Sequence, residues 1–590
     1  AVSILKKLPK MPQGTAAAYR EYLLHQLYHS MLNARLDELR QKADAPFRFA
    51  ASQSDYSSVR TASLLTRIVM VKQNQVDRGV KALVTEVERV VQNGFLDSEL
   101  ERAKKELLRA YQSSSAEKEK KPSRVYASEM LRHFLQGESV PGIDYELQLL
   151  ERFLPNISTG DLNTLAQQWN QKGSQVITVS APEGGKVPNK QEVLALLDQS
   201  QIQEIPAYVD STRTEPLIPT PPSPGKIVKE TTIPEIGVTQ WALSNGAKVL
   251  LKPTDFKNDE ILLSGFSPGG HSLISDEDLW SAQFADAVVG AGGIGQFSAI
   301  ELRKALAGKL ASASVSISEL EETVRGSASP EDIEAMFQLL YLRFTSPRRD
   351  PEAFASWKAN IQEWVLNRLK TPETVFRDKL QKVLTLEHPR RLPPTRENLG
   401  KVDLDKALEI YRNRFRDASD FTFVLVGNLD LQHIKPFVLK YLAGLPGSDR
   451  QEKWRDVGVK RPSGITKFEV KKGLEPKSQV YIRFMGDGEW TRQNQHDLAS
   501  LSRVLGIRLR EVLREDMGGT YGVRASGGLS RRPQETYSFT LSFGCAPENV
   551  DTLPSALLSE IETIKKEGIG EDYLVKVRES QTRKRELDVK

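Results

Sequence analysis

Leu24, Leu27, Met31 and Leu39 fall at helical spacing and predict an amphipathic helix that runs into RLDELR. The same period returns in Leu279, Trp280, Phe284, Ala287 and Val288, which places a helix directly before the glycine-rich stretch VVGAGGIG. Strands announce themselves differently. EILLSGF, QVITVSAP and FTFVLVGN are short runs rich in β-branched and aromatic residues. In WALSNGAKVLL the pair Asn245-Gly246 stands between apolar residues and predicts a hairpin. Pro206, Pro216, Pro219, Pro221, Pro222, Pro224 and Pro234 then mark the main linker, because a ring-locked residue without an N–H excludes helix and internal strand and favours an extended tether.

The pattern also repeats. ARLDELRQKADAPFRFAAS near the start and IRLREVLREDMGGTYGVRAS near the end both read as an amphipathic helix, a Leu-Arg ending, a short turn and an aromatic residue opening a strand. Arg40 matches Arg514 and Phe47 matches Tyr521, each at an offset of 474, and VVQNGFLDSELERAK keeps that offset against TIKKEGIGEDYLVKV, with Gly94 on Gly568. Each copy is expected to be an α+β unit of strand, helix, strands and a helix pair, closed by QVITVSAP or FTFVLVGN. On the same offset residue 590 answers to residue 116, whereas the first copy runs on to about residue 188, and SILKKLPKM aligns with SQVYIRFMG inside a first strand. A fragment of a longer duplicated protein is the expectation.

Bulk properties narrow the classes. A chain of 590 residues is too long for one core. Lys+Arg 82 against Asp+Glu 77 leaves a net charge of +5, which offers no electrostatic case for nucleic acid or an anionic membrane as partner. No apolar run approaches the ~18–20 residues of a membrane span. The single Cys545 excludes an internal disulfide and a multi-cysteine metal cluster.

Two stretches mimic sites. HQLYH carries His25 and His29 four apart on the predicted helix, one residue away from the inverted zinc-peptidase pattern H-x-x-E-H. The differing residue is Tyr28, and a phenol with a pKa near ~10 is a poor base for a metal-bound water at neutral pH. Its helical companions favour two polar residues flanking a packed stripe. VVGAGGIG places Gly290, Gly292 and Gly295 in the spacing of a dinucleotide fingerprint, but that fingerprint needs a buried strand before it, and the residues before it have helical period. A tight helix-exit loop is expected, with no cofactor bound. EKEKK at 117–121 reads as a solvated loop, and His271 as a turn residue without a role.

LREDMGGTYG, ALSNGAKVLLK and FVLVGN together resemble the pitrilysin/insulinase-type zinc peptidases, and most of all their bacterial PqqL-like members. The resemblance implies an α+β fold of repeated α/β-sandwich domains of the clamshell type, with mixed, mainly antiparallel sheets and helices packed on one face. It implies a start-truncated second domain at 1–188, the inter-half linker at 189–236, a degenerate third domain at 237–448, and a C-terminally truncated fourth domain at 449–590. In such enzymes zinc is held by H-x-x-E-H in the first domain, which is expected to lie outside this chain. The motif does not occur here. At the matching place in the third domain stand Gln283, Phe284, Ala285, Asp286 and Ala287, with Glu363 where a downstream glutamate ligand would be, so no zinc site is expected in this chain. The resemblance assigns auxiliary catalytic roles to Arg514, holding substrate or backbone, and Tyr521, donating a hydrogen bond near the tetrahedral intermediate. Phe47, lacking a hydroxyl, cannot do the latter. The implied function is the non-catalytic C-terminal portion of a zinc endopeptidase acting on peptides or unfolded segments, inactive alone, partnered by the missing catalytic domain and located in the bacterial periplasm or envelope. The alternative is a catalytically dead peptide-binding or assembly subunit of the same fold.

Overall fold

One order of elements, a strand, helical structure, two antiparallel strands and a helix pair, is laid down three times along the chain. The structure, a computed structural model, describes residues 1–72, 74–171, 173–181, 187–202 and 204–588, so Pro182 of QVITVSAP lies outside the described residues. Two units are separable: Ala1–Asn367 with Pro394–Trp454, and Arg368–Pro393 with Arg455–Lys590.

In the first unit, β1 (Val2–Pro9), β2 (Phe47–Asp55), β3 (Ala62–Val71) and β4 (Gln175–Val179) form an antiparallel sheet in the order β2-β3-β1-β4. The helix Ala16–Gln41 begins where the Thr15 hydroxyl accepts the Ala18 N–H at 3.1 Å. Its stripe of Leu23, Leu27, Tyr28, Met31, Leu32 and Leu36 is buried in the first core, each large side chain contributing roughly 1.5–3 kcal/mol of transfer free energy. Leu24 and Leu39 lie half-buried at its margin.

The remaining strands of this unit are β5 (Ile227–Ile233), β6 (Val238–Leu243), β7 (Lys248–Pro253), β8 (Ile261–Pro268), β9 (Ala311–Ile317), β10 (Glu321–Ala328) and β11 (Thr422–Gly427). Their order is β5-β6-β7-β11-β8-β10-β9, and β7 with β11 is the parallel pair. Its portion β9-β10-β8-β11 reproduces β2-β3-β1-β4 strand for strand. Asn245-Gly246 turns β6 into β7, with Gly246 at φ +90 and the Asn245 amide donating to the Leu442 and Leu445 carbonyls at 2.9 and 3.0 Å. The second unit contains β12 (Ser478–Asp487), β13 (Val523–Ser530) and β14 (Thr536–Cys545) in the order β12-β14-β13, the same arrangement without a strand in the place of β4 among the described residues.

The 474-residue repeat is thus a structural one, as Gly94 and Gly568 show. Each joins the two helices that follow the strand pair, at φ 76, ψ −176 and φ 80, ψ −166, a region only glycine enters readily.

The proline-rich stretch is extended, but it is tied down. The helix Lys190–Ile202 precedes its prolines, and β5 joins the seven-stranded sheet as an edge strand, the position proline-rich sequence tolerates. Between them Tyr208 donates to Glu38 at 2.9 Å, and Asp210 accepts from Arg102 at 2.8 Å and Lys304 at 2.9 Å. Tyr208 also lies over Arg35, 4.2 Å from guanidinium carbon to ring centre. Arg35 is 2% exposed and bonds Glu99 through Nε and Nη2, both at 2.7 Å, the Gly94 carbonyl at 3.1 Å, and Glu86 at 3.4 Å.

Removing one partner of a buried ion pair strands the other, at about 3–5 kcal/mol. Glu99→Gln is therefore expected to lower the unfolding free energy of the first unit by that order, read as a fall in its urea midpoint, while Arg35→Leu with Glu99→Leu recovers most of the loss. A wild-type midpoint for Glu99→Gln would show that the pair does not hold these helices.

Candidate functional site

LREDMGGTYG forms the exit of the helix Arg492–Arg510 and the entry to β13. The helix widens into a π-turn over Glu511–Asp516, and the chain reverses through Gly518, at φ +62, whose N–H bonds the Arg514 carbonyl at 3.1 Å. Gly519 follows, and a Cβ there would come within 2.6 Å of a Leu553 methyl group, so the loop lies close on the helix Thr552–Glu567 and a larger residue would make Leu553 shift. Thr520 is buried and fixes the loop: its hydroxyl donates to the Gly544 carbonyl at 2.7 Å and accepts the Gly522 N–H at 3.3 Å.

With Thr520 turned inward, Tyr521 turns outward, and it is 97% exposed. Its hydroxyl has no hydrogen-bond partner among the described residues, and the exposed Arg514 guanidinium has no ion pair among them. Phe47, at the equivalent position, is fully buried in the first core. Two positions at the same offset thus lie in opposite surroundings, one in the core and one in solvent. Thr520 was not singled out by the sequence; its one signal is a lone hydroxyl residue between Gly518-Gly519 and Tyr521-Gly522.

The zinc-like stretches resolve into packing. His25 Nδ1 pairs with the Tyr56 hydroxyl at 2.7 Å, and His29 pairs with Ser52 at 3.0 Å and Ser54 at 2.8 Å, so both His29 nitrogens are engaged. Trp169 lies against both rings, at 4.7 and 5.2 Å between centres. The histidines therefore sit within the packed face rather than flanking it, because β2 and the residue after it bring three hydroxyls to meet them. Burial lowers their pKa values from 6.5, to about 4 for His25 and about 3 for His29.

In the third repeat Phe284 packs on Trp357, Ala285 is buried, and Asp286 accepts the Ala287 N–H at 2.8 Å, its carboxyl pKa raised by burial. Glu363 is paired with Arg48 at 3.1 Å. These residues do not fit a zinc ion: no imidazole is among them and the carboxylates are already engaged. Among the described residues no group of three or more His, Cys, Asp or Glu is placed to hold a metal. VVGAGGIG leaves the helix Ala285–Ala291 through Gly293 at φ +93 and Gly295 at φ +54, a helix-exit turn with no strand before it.

The thrice-repeated sheet order defines a class of protein built from duplicated α+β units. Residues 401–581 match the family described as Peptidase M16 inactive domain. The relatives and solved structures that the chain resembles support the same pitrilysin-like M16 family. It is 27% identical to the Zinc protease PQQL-like of Arabidopsis thaliana, over 99% of this chain and 58% of that protein. To the Probable zinc protease PqqL of Escherichia coli it is 24% identical, over 100% of this chain and 63% of that protein. In fold it resembles the ferredoxin protease FusC, solved in complex with Arabidopsis ferredoxin, at a TM-score of 0.67 with 18% identity over 99% of this chain and 64% of that one. The periplasmic protease PqqL from Escherichia coli superposes at 0.57 with 22% identity over 100% and 65%. The chain spans about three fifths of the length of the curated relatives it matches. Among the described residues no helix is long and apolar enough to cross a membrane.

Two measurements test this geometry. Unfolded imidazoles take up protons below about pH 6.5, whereas folded His25 and His29 stay neutral to about 4 and about 3. Between those values the unfolded chain binds more protons, so these groups withdraw stability as pH falls. Urea unfolding of the first unit should weaken from pH 7 to pH 5, and His29→Gln should weaken less over the same interval; parallel losses would remove the histidines as the cause. Thr520→Val deletes two hydrogen bonds at about 1 kcal/mol each. It should speed amide exchange across 518–523, and unchanged exchange would mean that Thr520 does not anchor the loop.

Proposed function

We propose that this chain forms the non-catalytic wall of a zinc endopeptidase chamber, and that Tyr521 acts on the bound peptide there with Arg514 beside it. The observation that carries this reading is the disposition of Tyr521: its loop is anchored by Thr520, yet its ring is almost wholly exposed and its hydroxyl uncommitted. A structural tyrosine would bury its ring, as Phe47 does in the other copy. The names of the relatives, zinc proteases, support the same reading.

A hydroxyl on a fixed loop can donate to the oxyanion that develops when a peptide carbonyl becomes tetrahedral. Such a donor acts because its orientation is set beforehand, and is worth roughly 2.7–4 kcal/mol. Arg514 offers a fork suited to a peptide carbonyl or carboxylate. The zinc chemistry that would generate the attacking water needs ligands this chain does not supply, so the catalytic unit is a partner in this proposal. A bacterial periplasmic location is part of this proposal, on the likeness to the periplasmic protease PqqL from Escherichia coli. The runner-up is a peptide-binding or assembly subunit of the same fold without catalysis, and what separates the two is whether the first-domain unit carries an intact H-x-x-E-H.

Joining this chain to an M16 unit that carries H-x-x-E-H separates the two. If the reading is right, a quenched peptide is cleaved, and Tyr521→Phe lowers kcat by about 10²–10³ with KM and thermal stability nearly unchanged. Equal kcat for Tyr521→Phe would reduce the tyrosine to a bystander. Stoichiometric zinc and peptide cleavage by this chain alone would overturn the assignment of catalysis elsewhere.

A further inference from the structure

A cavity of about 480 Å³ lies in the first unit, between the helix Asp97–Ala116 of the first repeat and the glycine-rich turn and helices of the third. Four cations line it, Arg109, Arg303, Lys309 and Arg343, against one carboxylate, Glu106, and Gly290 opens into clear space at its wall. Its volume falls in the range of small-molecule sites, roughly 300–1,000 Å³.

The cations are not equally committed. Arg303 is paired with Asp37, and Arg109 bonds Asp259 at 3.1 Å with Asp332 at 3.6 Å. Lys309 and Arg343 have no ion pair among the described residues; Glu334, whose carboxylate feels Lys309, accepts hydrogen bonds from Tyr441 at 2.7 Å and Lys440 at 3.2 Å. The Tyr411 hydroxyl reaches the Arg343 backbone carbonyl at 3.0 Å and does nothing for its guanidinium. The Arg343 Nε–H has no acceptor among the described residues, whereas that of Arg109 faces the Asp332 carboxylate at 3.6 Å. The lining therefore carries more positive than negative charge, with two of its cations free of an ion pair among the described residues, and an anion entering from outside would balance them. Burial raises the Glu106 pKa, which reduces the negative charge opposing such a guest.

We propose that this cavity binds a small dianionic oxyanion, a phosphate or phosphate monoester, held by Lys309, Arg343 and Arg109. A dianion matches the two uncommitted positive charges, and its several oxygens can accept from an ammonium and a guanidinium at once, which one carboxylate would serve less well. Because Arg109 belongs to the first repeat and Lys309 and Arg343 to the third, the bound anion would tie the two repeats of this unit together.

The test is titration of the whole chain by calorimetry with inorganic phosphate, and with phenyl phosphate, at ionic strength held constant by sodium chloride. Lys309→Glu is the variant of choice, since Lys309 is exposed and its replacement leaves the core intact. Saturable one-to-one binding of either probe that weakens at least tenfold in Lys309→Glu, with Lys566→Glu in the second unit behaving as wild type, is the expected result. No saturable heat from the wild-type chain, or equal binding by Lys309→Glu, would overturn the proposal. So would binding of an acetylated dipeptide through its free carboxylate without binding of phosphate, because that would make the guest a monoanion.

Discussion

The buried guanidinium of Arg35 is the constraint on which the first unit depends. A cation taken out of water must be matched by fixed partners or the fold loses more than it gains. Here the partners come from four places at once: Glu86 on the helix Val76–Asn93, Glu99 on the helix Asp97–Ala116, the Gly94 carbonyl at the turn between them, and the ring of Tyr208 in the proline-rich stretch. Tyr208 and Asp210 then pass the constraint to Lys304 of the third repeat, which bonds Glu38 at 2.8 Å and Asp210 at 2.9 Å. One buried charge thereby fixes the pitch of three helices and the route of the linker.

The second unit shows that the repeat itself does not need this charge. At the position of Arg35 it has Leu509, fully buried, and at that of Glu99 it has Tyr573. Glu560, which answers to Glu86, is instead bonded by Arg508 at 2.7 Å, one residue along the helix and nearer the surface, while Tyr573 donates to Glu511. The same backbone is thus held by an apolar contact with peripheral polar bonds in one copy and by a buried ionic cluster in the other. The difference follows from what each copy must hold: the ionic cluster grips a crossing segment, and specific polar geometry selects one path for it where apolar contact would accept several.

Much of this was legible because it is local. Hairpin chemistry at Asn245-Gly246, the helical period before VVGAGGIG and the glycine at the helix junction are all read within a few residues, and the offset joining Gly94 to Gly568 compares one local pattern with another. The histidines were not legible in the same way. His25 and His29 look like ligands or surface groups until Tyr56, Ser52 and Ser54 are brought to them from positions 23 to 31 residues away. The linker was half legible for the same reason: proline specifies that residues 206–224 avoid helix, but their fastening depends on Glu38, Arg102 and Lys304, which are distant in sequence. Thr520 and the cationic cavity escaped entirely, since a single hydroxyl or arginine has no periodicity to betray it.

Register explains why one aromatic position can be structural in one copy and available for chemistry in the other. Phe47 opens β2 as a paired residue opposite Val71, and its ring goes into the core. In the other copy pairing starts two residues later, at Val523, which leaves Tyr521 in the loop. The widened π-turn and two glycines absorb the change in path, and Thr520 takes up the inward position that the aromatic would otherwise fill. The loop backbone is thus anchored through Thr520, while the Tyr521 ring stands clear of any packing at 97% exposure. The arrangement would be wasted on a residue that served packing alone, since a small polar side chain at the same place would leave every anchoring hydrogen bond intact.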